Sequence, residues 1–256
     1  MGRERMIGAD ERRTTGDDLR RSGVASVEEV VAELRARGKP DQLAGMARYG
    51  LTGEERLGVP VPELRQMAKE IGPDQELSLA LWETGISDAR ILASMVGVPS
   101  EVSEAQMEAW VADFDAWDVC DQVCMNLFEK TPHAWKQIVA WSAREGAFVR
   151  RAAFALAACL AWHDKEAPDE AFLSLLPLVD AASTDGRKVV KKGVSWALRN
   201  IGKRNSDLHE IALQRAERLR EMESKTARWI GSDAVRDLTS EATARRLAKM
   251  AKEGQD

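Results

Sequence analysis

The chain carries an aromatic side chain and a carboxylate at a spacing that suits the stabilisation of a cation. Trp117 and Asp121 are four residues apart in a predicted helix, so their side chains lie about 40° apart on one face. An indole face and a carboxylate both attract positive charge. The alternative is structural, an acidic first turn favoured by the helix dipole with Trp117 packed in the core. These residues alone leave both interpretations open.

A second candidate site is basic and lies between residues 187 and 204, which include seven Lys or Arg and no Asp or Glu. Four of these residues recur near one stripe of a predicted helix, namely Lys188, Lys192, Arg199 and Lys203. Trp196 falls on the same stripe. Basic residues interleaved with an aromatic one are typical of a surface that binds a phosphate backbone and stacks a sugar or base. In the alternative, the stripe is solvated and Trp196 faces the core.

A further predicted helix opens with adjacent arginines, Arg150 and Arg151. Adjacent helical residues point about 100° apart, so one can lie at the surface while the other is buried or faces a ligand. The three histidines, His133, His163 and His209, lack the spacing of metal ligands. The chain also has no P-loop, dinucleotide glycine motif or Ser/His/Asp arrangement. We therefore predict no metal site and no cofactor.

Composition limits the remaining function classes. The net charge is −5 over 256 residues, which argues against a protein that coats nucleic acid with its whole surface but allows a local basic patch. Cys120, Cys124 and Cys159 have no CxxC spacing, so neither a disulfide framework nor a zinc site is indicated, and a reducing cytosolic location is expected. No apolar run is long enough for a membrane span, and the N-terminus lacks the apolar core of a signal peptide.

The elements that position these residues are predicted to be helices. Ser26 and Glu29 form a capping-box pattern, residues 1–24 read as a disordered tail, and Gly53 and Gly58 mark a turn. No β-branched alternation is present, so the fold class is all-α. After two helices before residue 50 and one beginning near Pro62, further helices are predicted at 75–84, 88–97, 104–113, 116–130, 132–144, 147–162, 168–179, 187–203, 207–221, 226–236 and 240–252.

Pairs of these helices recur at roughly 35–45 residues, the period of two-helix solenoid repeats. A globular helical bundle would produce much the same pattern. A solenoid would add a concave surface wide enough for a rod-like ligand.

Four short motifs in order resemble the DNA alkylation repair family, the helical-repeat alkylpurine DNA glycosylases of the AlkD type. The resemblance runs from about Met46 to at least Asn205. It begins with MARY followed by GVPVPELRQMAKEI and continues through WDVCD, FVRRAAF and VVKKGVSWALRNIGKRN. On the pattern of that family, the catalytic positions correspond to Trp117, Asp121 and Trp196, and the DNA-binding positions include Tyr49 and Arg151.

The resemblance implies a HEAT-like solenoid whose concave face binds DNA, with residues 25–256 forming one domain. It implies hydrolysis of the N-glycosidic bond of cationic N3- or N7-alkylated purines in duplex DNA, without a cofactor and without flipping of the base into a pocket. The absence of a catalytic Lys motif agrees with a monofunctional enzyme that leaves an abasic site. Arg151 and the basic stripe would hold phosphates, and a solenoid that clasps DNA works as a monomer.

Two other hypotheses belong to different classes. A DNA-structure binder on the same scaffold would bind duplex in a salt-sensitive way without forming an abasic product. A scaffold for protein partners would bury its tryptophans in the core and would not bind DNA even at low salt.

Overall fold

The computed structural model describes residues 26–51 and 55–253. The predicted tail at residues 1–24 and the predicted turn residue Gly53 lie outside this part of the chain. The helices are α1 Val27–Arg37, α2 Pro40–Arg48, α3 Val61–Ile71, α4 Gln75–Glu83, α5 Ser87–Val96, α6 Glu104–Ala112, α7 Trp117–Asn126, α8 Ala134–Ser142, α9 Ala147–His163, α10 Asp169–Leu173, α11 Leu176–Ala182, α12 Lys188–Ile201, α13 Ser206–Glu221, α14 Lys225–Leu238 and α15 Glu241–Glu253.

The all-α prediction is confirmed, since the described residues contain no strand beyond one isolated bridge between Glu55 and Ile86. The predicted capping box at Ser26 and Glu29 is present at the start of α1. None of the helices within residues 26–51 and 55–253 is long and apolar enough to cross a membrane.

Two predicted helices have other bounds in the structure. The helix predicted at 168–179 is divided into α10 and α11, because Pro177 has no N–H to donate to the preceding turn and instead occupies the first turn of α11. The helix predicted at 116–130 ends at Asn126, and a 3-10 turn follows at Phe128–Lys130. This change of backbone direction turns both Leu127 and Phe128 into the core, where each is fully buried.

The helices stack in two rows. An inner row runs α5, α7, α9, α12 and α14, and each helix packs against the next. An outer row covers it, with α4 on α5, α8 on α9, α11 on α12 and α13 on α14. Packing of each pair mainly against its neighbours in the sequence is the arrangement of a solenoid rather than a closed bundle.

The tryptophans divide between the core and one surface. Trp82, Trp110 and Trp141 are buried, and the rings of Trp82 and Trp110 stack with centroids 4.0 Å apart. Such aromatic pairs stabilise a core beyond the area that they bury. Trp117 and Trp196 are only half-buried and lie on the surface of the inner row, where they line a cavity.

The segment before α3 is fixed to the helix that carries Trp117. Buried Asp88 on α5 accepts hydrogen bonds of 2.7 Å from the backbone N–H groups of Leu57 and Val59. Arg56, between them, forms a bidentate pair with Asp118 on α7, at 2.6 and 2.9 Å. Asp118 is therefore used for structure, and the first turn of α7 is held in place from outside the helix.

Close approach of α13 and α14 requires glycine at position 231, because a Cβ there would clash with the backbone of Ala216 and Arg220. We predict that Gly231→Ala lowers the free energy of unfolding by about 1–3 kcal/mol through overpacking. Urea denaturation would measure the change. The matched control is Gly45→Ala in α2, where a Cβ meets nothing within 4 Å and should raise stability by about 0.5–1 kcal/mol. Equal effects of the two substitutions would contradict the packing argument.

Candidate active site

A cavity of about 550 Å³ opens on the inner row and brings most of the predicted site residues together. Eight of the nine residues singled out from the sequence line it, and Lys203 does not. Helices α7, α9, α12 and α14 supply its walls, and the end of α2 supplies its rim. Its lining is Tyr49, Gly50, Trp117, Asp121, Arg151, Lys188, Val189, Lys192, Trp196, Arg199, Trp229 and Asp233.

Helix α7 presents Trp117 and Asp121 on one face, as their spacing predicts. The helix begins at Trp117 because Ala116 before it is extended and buried. The indole Nε1 of Trp117 donates a hydrogen bond of 3.0 Å to the carbonyl oxygen of Tyr49, which fixes the ring. The Tyr49 side chain itself is 74% exposed at the rim. The two residues are separated by 68 positions in the chain, so this contact ties the first helices to α7.

The carboxylate of Asp121 forms a bidentate ion pair with Arg151 of α9. Arg151 Nε donates to Oδ1 at 2.9 Å and Nη2 donates to Oδ2 at 2.7 Å. The side chains are 14% and 7% exposed, so the pair lies in the floor of the cavity rather than in solvent. Two short parallel bonds are the geometry of a charged carboxylate held by a guanidinium.

Burial and the ion pair act in opposite directions on the two pKa values. Burial raises the pKa of Asp121 above its usual value, and the adjacent Arg151 offsets only part of this effect. Burial opposes the charge on Arg151, but the Asp121 carboxylate outweighs it and the pKa of Arg151 is raised. The negative charge of the Asp121 carboxylate is therefore maintained by one partner, Arg151.

The structure places Arg151 beside Asp121, whereas the resemblance to the family implies that it contacts a phosphate. Its Nη1 also donates to the carbonyl oxygen of Val189 at 2.8 Å, so all three guanidinium nitrogens have partners within the chain. One N–H remains on each terminal nitrogen for another acceptor. The guanidinium carbon lies 5.9 Å from the centre of the Trp117 ring.

Helix α12 supplies the opposite wall of the cavity. Lys188 and Lys192 are exposed at its edge, and within the part of the chain that the structure describes neither has an acidic partner. Trp196, one turn further on, is half-buried, with part of its ring packed on the core and part lining the cavity. Trp196 therefore faces the core, as one interpretation of the sequence predicts, and also lines the cavity, as the other predicts.

The remaining basic residues of the 187–204 segment are largely neutralised. Arg199 lies 3.5 Å from each of two carboxylates of α14, Asp233 and Asp237, and Lys203 pairs with Asp237. Two others pair nearby, Arg187 with Asp185 and Arg204 with Asp169. The cations of this segment without a carboxylate partner among the described residues are Lys188, Lys191 and Lys192. The basic surface is consequently smaller than the sequence suggests.

Four residues of the lining were not predicted from the sequence, namely Gly50, Val189, Trp229 and Asp233, and the last two, on α14, carry an aromatic ring and a carboxylate. Trp229 is 37% exposed, and Lys191 Nζ lies 4.5 Å above the centre of its ring. The signal was present, since Trp229 and Asp233 repeat the four-residue spacing of Trp117 and Asp121. The Asp233 carboxylate, however, accepts a hydrogen bond from Ser195 at 2.7 Å besides contacting Arg199, so it holds α14 against α12.

Among the described residues, neither the cysteines nor a metal-binding group adds a catalytic function to the cavity. Burial raises the pKa of Cys124 and of Cys159 well above the usual range, which makes both poor nucleophiles. The Sγ atoms of Cys120 and Cys124 lie near carbonyl oxygens of α9, so these residues pack α7 against α9. Within residues 26–51 and 55–253, no three His, Cys, Asp or Glu residues are grouped in a way that could hold a metal ion.

The arrangement is suited to a cationic ligand bound next to a polyanion. Two half-buried indoles and a buried carboxylate line the interior of the cavity, and exposed lysines lie at its edge. Positive charge in the ligand would be stabilised inside by the rings and the carboxylate, while the lysines attract negative charge outside.

Comparison with known proteins gives a family and a fold. A family model described as DNA alkylation repair enzyme matches residues 30–238, most of the chain. Among curated proteins, none matches the chain significantly.

Solved structures give the fold. One is described as "a new family of proteins related to the HEAT-like repeat DNA glycosylases with affinity for branched DNA structures". It is 22% identical to this chain, with a TM-score of 0.73 over 87% of this chain and 96% of that one. A designed armadillo repeat protein is 14% identical, with a TM-score of 0.35 over 88% and 99% of the two chains. The helical-repeat fold expected from the sequence is confirmed by the first of these.

Proposed function

Because the chain belongs to the DNA alkylation repair enzyme family, we propose that it is a DNA glycosylase for cationic N3- and N7-alkylated purines in duplex DNA. It hydrolyses the N-glycosidic bond, leaves an abasic site and does not flip the base into a pocket. It needs no cofactor and acts as a monomer in base excision repair, in the cytosol where it reaches chromosomal DNA.

The observation that carries this proposal is that Asp121 and two indoles line one cavity. The rings of Trp117 and Trp196 line the same cavity as the carboxylate, and Lys188 and Lys192 lie at its edge. A cationic sugar would be attracted to all three groups in the interior. The neighbouring phosphates would meet the lysines.

The proposed reaction needs no proton donor, since the substrate base is already cationic. The bond between C1′ and the purine nitrogen breaks, and its electron pair neutralises the departing base. The sugar is left as an oxocarbenium ion, which the indoles stabilise by cation–π attraction of about 0.5–2 kcal/mol each. Asp121 stabilises the same charge and orients a water molecule, whose oxygen bonds to C1′ and whose proton passes to the carboxylate and then to solvent.

Release of free base from a duplex that contains N7-methylguanine tests this function, with the abasic product detected by alkaline cleavage. We predict that Trp196→Ala lowers the single-turnover rate roughly tenfold because one of the two cation–π contacts is lost. Trp196→Phe should retain most of the rate, since a ring remains. Trp135→Phe is the matched control, because that ring packs on Phe172 away from the cavity. An unchanged rate in Trp196→Ala would contradict the proposed role of the indole.

The raised pKa of Asp121 predicts the pH dependence of base release. The ionised carboxylate is the active form, so the rate should fall as the pH drops through a pKa above the ordinary value of 3.8. No alkaline decrease is expected near neutral pH, because the leaving base needs no acid and Arg151 keeps its proton. A single-turnover pH profile, corrected for spontaneous depurination, would measure this. A bell-shaped profile would show that a general acid is involved and contradict the mechanism.

A second candidate function is recognition of DNA structure without chemistry, and the solved relative is described as having affinity for branched DNA. The observation in this chain that favours it is the ion pair, since Asp121 already has Arg151 as its partner. It predicts salt-sensitive binding of DNA with no abasic product. Base release by the wild-type protein above the spontaneous rate would exclude it.

A further inference from the structure

A second cavity, of about 340 Å³, shares one lining residue, Trp196, with the cavity described above. The volume is in the range of cavities that hold small organic ligands. Apart from Trp196, the lining consists of Met125, Ala158, Cys159, Trp162, His163 and Asn200. None of these residues takes part in the reaction proposed above.

The lining of this cavity contains a second indole, that of Trp162, with a cation stacked on it. Trp162, near the end of α9, is 40% exposed, which is unusual for so large an apolar side chain. The guanidinium carbon of Arg246 lies 3.8 Å from the centre of its ring. Arg246 is itself anchored, since its Nε donates to the carbonyl oxygen of Lys203 at 3.2 Å. The exposed ring is thus held in a fixed position at the cavity.

Helix α15 supplies this cation from outside the family match. The family model ends at residue 238, and α15 spans Glu241–Glu253. The hydroxyl groups of Ser240 and Thr243 both donate hydrogen bonds to the carbonyl oxygen of Asp237. These bonds fix the start of α15 to the end of α14. Arg246 therefore lies outside the residues that the family model matches, whereas Trp162 lies inside them.

Two basic side chains lie beside Trp162 at this largely apolar cavity. Arg246 stacks on its ring, and Lys165 Nζ donates a hydrogen bond to its backbone carbonyl oxygen. His163 of the lining is paired with Glu129 at 2.9 Å. Asn200 is 8% exposed, and its amide nitrogen donates to the carbonyl oxygen of Ala158 at 3.0 Å. Because only the amide nitrogen is used in that bond, the Oδ1 atom is left as an acceptor for a ligand.

We propose that this second cavity binds an unpaired nucleobase of the DNA other than the base that is excised, stacked against Trp162 and Trp196, with Lys165 and Arg246 contacting its phosphates. Aromatic walls with cations at the rim match the chemistry of a nucleotide whose base has left the duplex stack. A paired base could not stack on these indoles, because both of its faces are covered by the neighbouring bases of the DNA duplex. The proposal rests on DNA binding by the inner row but not on the glycosylase chemistry.

The test uses the full chain and a duplex with a single bulged 2-aminopurine, a base that fluoresces strongly when unstacked and weakly when stacked on an indole. We expect wild-type protein to quench this fluorescence and to bind the bulged duplex about tenfold more tightly than the fully paired one. Trp162→Ala should abolish both effects, and Trp162→Phe should restore part of each. Equal affinity for the two duplexes, or undiminished quenching in Trp162→Ala, would overturn the proposal.

Adjacent arginines of α15 supply a further test and its matched control. Arg246→Ala should weaken binding of the bulged duplex several-fold, because it removes the cation above Trp162. Arg245→Ala should not, because Arg245 is exposed and pairs with Glu241 of its own helix. Equal effects of both substitutions would also overturn the proposal, since they would indicate a diffuse effect of charge.

Base release is measured in the same preparations, which separates the two proposals. Bulge preference that depends on Trp162, without release of alkylated base, would support this site and refute the glycosylase. Release of base without any bulge preference would support the glycosylase and refute this site.

Discussion

Replacing Asp121 with Asn is expected to lower release of N7-methylguanine from duplex DNA by at least about a hundredfold, the usual effect of losing one preorganised electrostatic group. The amide has nearly the shape of the carboxylate, so the cavity is kept while the negative charge next to the sugar is lost. The Arg151 guanidinium, no longer neutralised, would then add a buried positive charge close to the oxocarbenium ion. Both changes raise the barrier to bond cleavage.

Single-turnover rates on the same duplex would measure this effect without interference from product release. Asp115→Asn is the control, since Asp115 is exposed six residues away and does not line the cavity. The thermal midpoint of each variant shows whether the protein tested is folded. A folded Asp121→Asn variant that releases base at the wild-type rate would refute the proposed mechanism.

The parts of the site that could be predicted from the sequence are those set by local spacing. Trp117 and Asp121 share a face of α7 because helical geometry places residues four apart together, whatever the tertiary structure. The same rule placed Lys188, Lys192 and Trp196 along α12. Helix positions were also largely predictable, because caps, prolines and apolar periodicity are local signals.

Partners distant in the sequence could not be predicted. Arg151 lies 30 residues from Asp121, and nothing in the letters FVRRAAF distinguishes an arginine that binds phosphate from one that binds a carboxylate. Likewise, α14 brings Asp233 and Asp237 to the basic stripe from more than thirty residues away and neutralises half of it. Charge counted within one segment therefore overestimates the charge that a folded surface presents, since packing between helices decides which residues are paired.

Replacing Arg151 with Ala is expected to lower the free energy of unfolding by about 3–5 kcal/mol, because it leaves the Asp121 carboxylate buried without a partner. Urea denaturation would measure the loss. Arg144→Ala is the control, since Arg144 and Glu108 form an exposed pair that should contribute less than about 1 kcal/mol. If the two substitutions cost the same, the buried pair does not have the stabilising role inferred here.

The pH profile of Arg151→Ala separates the two roles considered for this arginine. If Arg151 holds Asp121 in its charged form, its removal allows burial to raise the pKa of Asp121 further. The acid decrease in base release would then move toward neutral pH, and DNA affinity would change little. If Arg151 mainly contacts a phosphate, DNA affinity and its salt dependence would weaken while the pH profile stays in place. The three contacts of its guanidinium within the chain favour the first outcome.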